Sequence, residues 1–450
     1  MGKYFGTDGI RGIANTDLTN ELAFKTGRAA ALVLSEACAH KPLILIGKDT
    51  RISSDMLEAA MTAGFCSVGA GVVSLGVIPT PAVAYFVKKL SADAGVVISA
   101  SHNSMEYNGI KLFNSEGRKL SDEIEAKIEA ILDDKGFEFP AVSGADVGKV
   151  SVYADAKKEY VDFLMTAADG SLSGMKIAVD CANGSASGTA GELFGRLGAD
   201  AYVFSNTPDG TNINDKCGST HLEALKAVVK EGGYDVGVAF DGDADRVLMV
   251  DECGEEIDGD RIIAGLALDM KKNGTLKGNA AVVTIMTNMG FFKRMEADGI
   301  DVVKTKVGDR YVIEAMLEGG YNIGGEQSGH IILSDYNTTG DGELSALRWL
   351  LALKKQNIRA SEFASVMKKF PQTIKNVRVT PEGKKAIDSD PDIQTVIAKV
   401  NDALGDTGRT VVRASGTEAL IRVMLEGEDT DMIEKLADEI AGAIKDKYGA

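Results

Sequence analysis

The chain has 450 residues, 44% of them apolar, and a net charge of −17. That length predicts about three domains, plus or minus one, and the charge argues against nucleic acid and anionic membrane as partners, although local basic loops can still receive an anionic substrate. The cysteines at 38, 66, 181, 217 and 253 form no CxxC pair, and apolar runs such as Ala29–Leu34 are far too short to span a bilayer; with nothing resembling a signal peptide, this predicts buried free thiols in a reducing cytoplasm rather than disulfides, zinc or a membrane anchor.

The chain opens with Tyr4–Gly12, YFGTDGIRG, whose glycines suggest an ordered loop presenting Arg11. Periodicity predicts a helix over 21–39, a strand over 43–46 ending in Gly47-Lys48-Asp49-Thr50-Arg51, a helix over 55–68, a strand over 72–75 and a helix over 81–90. A short apolar strand, Val96–Ile98, then stops at Ser99-Ala100-Ser101-His102-Asn103. The C-terminal edge of an α/β sheet is where ligands bind, so Ser101, with His102 beside it and Lys111 further on, is a candidate nucleophile.

This order returns twice. The second pass runs from a strand at 176–179 through helices near 188–197 and 221–231 to Val236–Phe240, and ends in Asp241-Gly242-Asp243-Ala244-Asp245-Arg246. The third begins at 280–286, has helices near 291–298 and 309–318, and ends in Gly324-Gly325-Glu326-Gln327-Ser328-Gly329-His330. Alternating strands and helices predict mixed, mostly parallel sheets in three related α/β domains. The tail, with strands at 377–379, 410–412 and 421–425 and helices at 384–403 and 429–446, predicts a C-terminal α+β domain. Boundaries are expected to give units 1–150, 151–252, 253–368 and 369–450.

Three loops suggest chemistry. Asp241, Asp243 and Asp245 alternate with small residues, and three such carboxylates need a cation to be buried and ionised together. Hard oxygen ligands favour Mg²⁺ or Ca²⁺. Glu252 stands where a calcium loop has its twelfth-position glutamate, but strand-like Val247–Val250 is apolar where that loop turns, which favours Mg²⁺. Glu326, Ser328 and His330 offer groups suited to sugar hydroxyls. Arg413-Ala414-Ser415-Gly416-Thr417-Glu418, with Arg422 beyond, can form an anion nest flanked by forked guanidinium groups. No Walker loop or Gly-x-Gly-x-x-Gly follows a strand, so nucleotide binding has no support.

Together, Tyr4–Gly12, Ser99–Asn103, Asp241–Arg246, Gly324–His330 and Arg413–Thr417 resemble, in order, the motifs of the α-D-phosphohexomutases, a resemblance that implies four domains around a central cleft with one loop from each. The family's prolines after Ser-His-Asn and after Ser-Gly-Thr-Glu are Ser104 and Ala419 here, which affects loop stiffness more than chemistry. The resemblance implies that phosphorylated Ser101 donates its phosphoryl group, and that one Mg²⁺ per chain is held by Asp241, Asp243, Asp245 and Ser101. It also implies that Arg11 and Arg246 steady the transferring group, and that Lys111 and His330 carry protons. Glu326 and Ser328 would bind the sugar; Arg413, Ser415, Gly416 and Thr417 would bind its distal phosphate. Gln327, where mannose and glucose enzymes of the family usually carry Met, and Val307–Val312 resemble the branch acting on amino sugars. That branch interconverts glucosamine 6-phosphate and glucosamine 1-phosphate through glucosamine 1,6-bisphosphate, an early step toward bacterial cell-wall amino sugars. The expected partner is therefore a hexosamine phosphate, with the protein a monomer or homodimer. The alternatives are a mutase of mannose and glucose phosphates on the same scaffold, a Mg²⁺-dependent phosphatase that loses its phosphoserine to water, and a non-catalytic sugar-phosphate sensor.

Overall fold

The structure is a computed structural model that describes residues 2–6, 8–36, 40–415 and 419–450. The apolar runs become strands because they are covered on both faces: Ala94–Ile98, Val236–Phe240 and Ala280–Thr284 are buried at every position. Three units repeat one arrangement, in which the first strand is central and the third and second flank it in parallel. Leu43–Lys48 lies between Ala94–Ile98 and Gly71–Val77. Lys176–Asp180 lies between Val236–Phe240 and Asp200–Phe204. Ala280–Thr284 lies between Ile323–Gly325 and Asp301–Thr305.

Each third strand then folds back onto an antiparallel neighbour, Tyr107–Asn114, Val247–Asp251 or Ile331–Leu333. The serine loop, the aspartate loop and the Glu326–His330 loop therefore occupy the same place in three successive sheets. The fourth unit is different. Its antiparallel sheet has the order Gln372–Arg378, Leu420–Gly427, Gly408–Ala414, and packs against Pro391–Leu404 and Thr430–Tyr448.

Two expectations need correction, and two features go beyond them. The N-terminal loop is a hairpin, Phe5–Gly6 with Gly9–Ile13, which joins the first sheet beside Tyr107–Asn114. Lys111 sits on that last strand. The single helix expected over 384–403 is two, Pro381–Ala386 and Pro391–Leu404, because Pro391 cannot donate a helical hydrogen bond and opens a new first turn instead. The helix Gly342–Gln356, which carries the fully buried Trp349, is absent from the sequence reading.

One apolar cluster runs through the first three units, including Val97, Phe240, Val283 and Trp349. The fourth unit keeps its own core around Val400, Ile421 and Ile440. It meets the third through a polar seam, where the buried Glu426 carboxylate accepts hydrogen bonds from Asn288 Nδ2 at 3.1 Å, Met289 N at 3.0 Å and Arg409 Nε at 2.6 Å. Among the described residues, no helix is long and apolar enough to cross a membrane.

Candidate active site

The serine and aspartate loops meet directly. Ser101 is buried, and its hydroxyl donates to Asp241 Oδ2 at 2.6 Å. Its backbone lies in the left-handed region, with φ +54°, a conformation that costs a non-glycine residue about 1–2 kcal/mol. The Ser101 amide donates to Ser99 Oγ at 2.9 Å, so Ser99 braces the turn from behind while Ser101 faces the carboxylates. Close approach requires Gly242, since a Cβ there would lie 2.6 Å from the Ser101 carbonyl oxygen.

Asp241, Asp243 and Asp245 are all buried, and one ligand-capable oxygen from each falls within 4.8 Å of the others. Asp243 Oδ1 and Asp245 Oδ1 have no hydrogen-bond partner among the described residues. Burial, followed by the charges of Asp245 and Asp243, pushes Asp241 well above the usual carboxylate range. Three crowded carboxylates, two of them with an unfilled oxygen, are the donor set of a hard divalent cation, so the residues present fit such an ion.

Lys111 is the local counter-charge. Its Nζ lies 2.7 Å from Asp243 Oδ2, 3.1 Å from Asp245 Oδ2 and 3.2 Å from Asp8 Oδ2. Burial works against its charge, but Asp243, Asp245 and Asp8 outweigh it and hold the ammonium well above its ordinary pKa. Burial likewise opposes ionised Asp245, but Lys111, His330 and Arg246 together outweigh it, so Asp245 stays well below the usual range. Asp243 also accepts from Thr80 Oγ1 at 2.5 Å.

Arg246 follows the triad, its Nε 3.8 Å from Asp245 Oδ1 and its amide donating to Asp241 Oδ1 at 3.2 Å. Arg11 pairs with Asp8, which also pairs with Lys119; Lys119 in turn pairs with Asp309 of the third unit. His102 Nδ1 is 3.4 Å from Ser101 Oγ, and burial, then Arg246 and Arg11, lower this imidazole to about 4.

The third loop is fastened to the second. Arg246 and His330 form a β-bridge, and the Val247 amide donates to the Gly329 carbonyl at 3.1 Å. A Cβ at Gly329, φ +91°, would lie 2.3 Å from the Val247 carbonyl oxygen. His330 Nδ1 is 3.7 Å from Asp245 Oδ2, and its Nε2 is 3.4 Å from Asp309 Oδ2 and accepts from the Gly340 amide at 3.2 Å. Burial opposes a charged His330, but the hydrogen bond and charge of Asp245 raise its pKa overall. Glu326 Oε1 accepts from Gly308 N at 3.0 Å, and Ser328 is exposed.

In the fourth unit Arg413 stands opposite Arg422 across the strand pair. Burial and Arg422 lower its pKa, while the Glu326 carboxylate is near enough to act in the opposite sense. Ser415 is buried and donates its amide to the Leu420 carbonyl at 2.9 Å. Gly416 and Thr417 lie outside the described residues.

The structure thus brings Ser101, Lys111, Arg11, Arg246, His330 and the three aspartates into one cluster, with Glu326 within electrostatic reach of Arg246 and Arg413. Sequence reasoning overlooked Asp8, Thr80, Lys119 and Asp309. Asp8 and Asp309 lie inside stretches it had singled out, so their charge beside Arg11 and within Val307–Val312 was the available signal. Thr80 gave none.

A serine held against a buried carboxylate cluster, with lysine and arginine around it, is equipment for phosphoryl transfer, where positioning and charge neutralisation do most of the work. The chain belongs to the phosphoglucomutase/phosphomannomutase family. It matches alpha/beta/alpha domain I over residues 2–139, domain II over 152–254, domain III over 258–370 and the C-terminal domain over 374–443. It is 52% identical over 448 residues to a protein of Alkaliphilus oremlandii (strain OhILAs) named phosphoglucosamine mutase, covering 99% of this chain and 100% of that one. A crystal structure of a phosphoglucomutase/phosphomannomutase family protein from Burkholderia thailandensis superposes with a TM-score of 0.83 at 24% identity, covering 98% and 97% of the two chains. Aspergillus fumigatus N-acetylphosphoglucosamine mutase, solved with GlcNAc-6P and magnesium, shares the fold with a TM-score of 0.68 at 20% identity, covering 99% and 96%.

Proposed function

We propose that this protein is a phosphoglucosamine mutase, interconverting glucosamine 6-phosphate and glucosamine 1-phosphate through phosphorylated Ser101 and a glucosamine 1,6-bisphosphate intermediate. The observation that carries the chemistry is the Ser101 hydroxyl 2.6 Å from Asp241 at the edge of the buried triad. Support for the amino sugar comes from full-length similarity to relatives bearing that name and from Gln327.

Asp241, Asp243 and Asp245, with an oxygen of phosphorylated Ser101, would hold one Mg²⁺. When bound, that ion offsets the phosphoryl charge of about −1.5 to −2. Ser101 holds the phosphoryl group at the meeting point of the first two units. Its Oγ–P bond breaks as a bond forms from phosphorus to the free sugar hydroxyl, whose proton passes to a protein base. Lys111, held protonated by three carboxylates, suits protonation of the departing serine oxygen. His330 is the partner in proton transfer. Arg11 and Arg246 steady the phosphoryl oxygens. Glu326 and Ser328 orient the sugar, and Arg413, Ser415, Gly416 and Thr417 hold the phosphate that is not moving. The bisphosphate then turns round and returns its other phosphoryl group to Ser101.

The same reading treats residues 1–150, 151–252, 253–368 and 369–450 as the four domains, and the protein as a cytoplasmic monomer or homodimer. Rates on glucosamine 1-phosphate, glucose 1-phosphate and mannose 1-phosphate, compared with the matching bisphosphate supplied in every assay, test the assignment. The expected kcat/KM preference for the amino sugar is at least about tenfold, roughly 1.4 kcal/mol. Equal or better turnover of either neutral sugar transfers the assignment to a phosphomannomutase/phosphoglucomutase, and steady release of free phosphate to a phosphatase.

A further inference from the structure

Two side chains outside the catalytic set converge on the backbone of the serine loop. Arg51 ends the loop that follows the strand Leu43–Lys48, and its side chain is wholly buried. Its Nε pairs with Asp49 Oδ2 at 2.8 Å, and Asp49 is fixed in turn by the Ser54 hydroxyl at 3.0 Å. Its Nη2 donates to the carbonyls of Ser101 at 2.9 Å and Asn103 at 2.8 Å, and its Nη1 donates to the carbonyl of Ser104. From the second unit, Asn214 Nδ2 donates to the same two carbonyls, Ser101 at 2.9 Å and Asn103 at 3.0 Å. The Asn214 Oδ1 is buried without a hydrogen-bond partner among the described residues, so the side chain is placed for its donors.

This arrangement exceeds what a turn needs. A buried guanidinium loses its hydration and is retained only where its donors are used; here three of its hydrogen bonds go to the four-residue segment 101–104. The Ser101 carbonyl receives two donors from opposite units while its φ stays at +54°. Drawing that carbonyl back is what leaves Oγ turned toward Asp241.

We propose that Arg51 and Asn214 are positioning residues for phosphoryl transfer, holding Ser101 in its left-handed conformation so that its oxygen faces the acidic triad. Asn214 also ties that geometry to the docking of the second unit. The inference rests on the reading of Ser101 as the phosphoryl carrier. Misplacement of a reacting atom by about 1 Å can lower a rate about a hundredfold.

The test uses full-length Asn214→Ala, Arg51→Lys and Ser101→Ala. The lysine keeps a charge for Asp49 but cannot fork across three carbonyls. The measurements are steady-state kcat and KM on glucosamine 1-phosphate, single-turnover loss of phosphate from phosphorylated enzyme by intact mass, and melting temperature. Asn214→Ala is expected to lower kcat and the single-turnover rate together, by about ten- to a hundredfold, with KM within about twofold. Arg51→Lys is expected to lose at least as much; if it fails to fold, Asn214→Ala decides alone. A lower melting temperature with an unchanged rate per phosphorylated molecule would make the contacts purely structural and overturn the proposal. Full activity in Ser101→Ala would instead overturn the phosphoserine reading. An inactive Ser101→Ala beside wild-type rates in the other two would overturn the positioning role only.

Discussion

Glu343 allows a clean test of the energetics at the contact between the second and third units. It lies in the first turn of Gly342–Gln356, fully buried, with Oε1 accepting from Thr189 Oγ1 at 2.5 Å and Oε2 without a partner among the described residues. The ionisable groups around it, Asp341, Cys181 and Tyr160, offer no positive charge. A helix N-terminus favours an anion, but burial, followed by the charge of Asp341, pushes Glu343 from 4.5 up to about 8. The folded protein therefore keeps a proton that the unfolded chain releases above pH 4.5. Stability must fall as pH rises from about 4.5 to about 8, where the folded group also ionises and the dependence flattens. That displacement of the midpoint corresponds to about 5 kcal/mol. Glu343→Gln keeps the acceptor for Thr189 and cannot ionise. Thermal unfolding of both proteins from pH 5 to 9 at constant ionic strength should show matching melting temperatures near pH 5. By pH 8.5 the variant should be ahead by about 5 °C, the size expected for a cooperative body of several hundred residues. Asp341, raised to about 6 mainly by burial, titrates in both proteins and largely cancels. A gap that does not change with pH, or a variant less stable at alkaline pH, would refute the reasoning.

Peptide mapping of purified protein should find phosphate on Ser101 and none on Ser99, whose hydroxyl is turned to the Ser101 amide; phosphate on Ser99 alone would contradict this. Asp243→Asn removes a charge from the triad and weakens the contact with Lys111, and should lower kcat by at least about a hundredfold, with excess chelator abolishing wild-type turnover. Undiminished turnover in chelator would remove the metal from the reaction. Arg413→Ala should raise KM strongly and lower kcat as well, since binding energy away from the reacting centre also orients it; an unchanged KM would make that loop structural.

The sequence by itself determined the repeated strand–helix–strand plan and the position of each polar loop. Val96–Ile98 and Val236–Phe240 are apolar throughout and end abruptly in small polar residues, a local pattern that needs no partner to be recognised. Those loops contained Ser101, the aspartate triad and His330. The strand Tyr107–Asn114 escaped because it is buried on both faces yet carries Asn108 and Lys111 in its interior, which interrupt the continuous apolar run that marks a fully buried strand. The helix Gly342–Gln356 is buried on nearly every face, so it lacks the single apolar stripe of a surface helix.

What only the tertiary structure decided is which groups meet and which charges survive burial. Arg51 reads as the solvated end of a loop until the carbonyls of residues 101–104 close on it. Lys111 stands in the sequence ten residues past Ser101, and only the fold buries it against Asp8 of the N-terminal hairpin and Asp243 and Asp245 of the aspartate loop. Asp241 and Asp245 are indistinguishable as letters, yet one is pushed far above the carboxylate range and the other held far below it. Asp245 has the Lys111 ammonium at 3.1 Å with His330 and Arg246 beside it, whereas Asp241 meets burial and the charges of Asp245 and Asp243 with only Arg246 and the Ser101 hydroxyl against them. Several such groups in a water-excluded site together outweigh burial, and only the fold sets their distances.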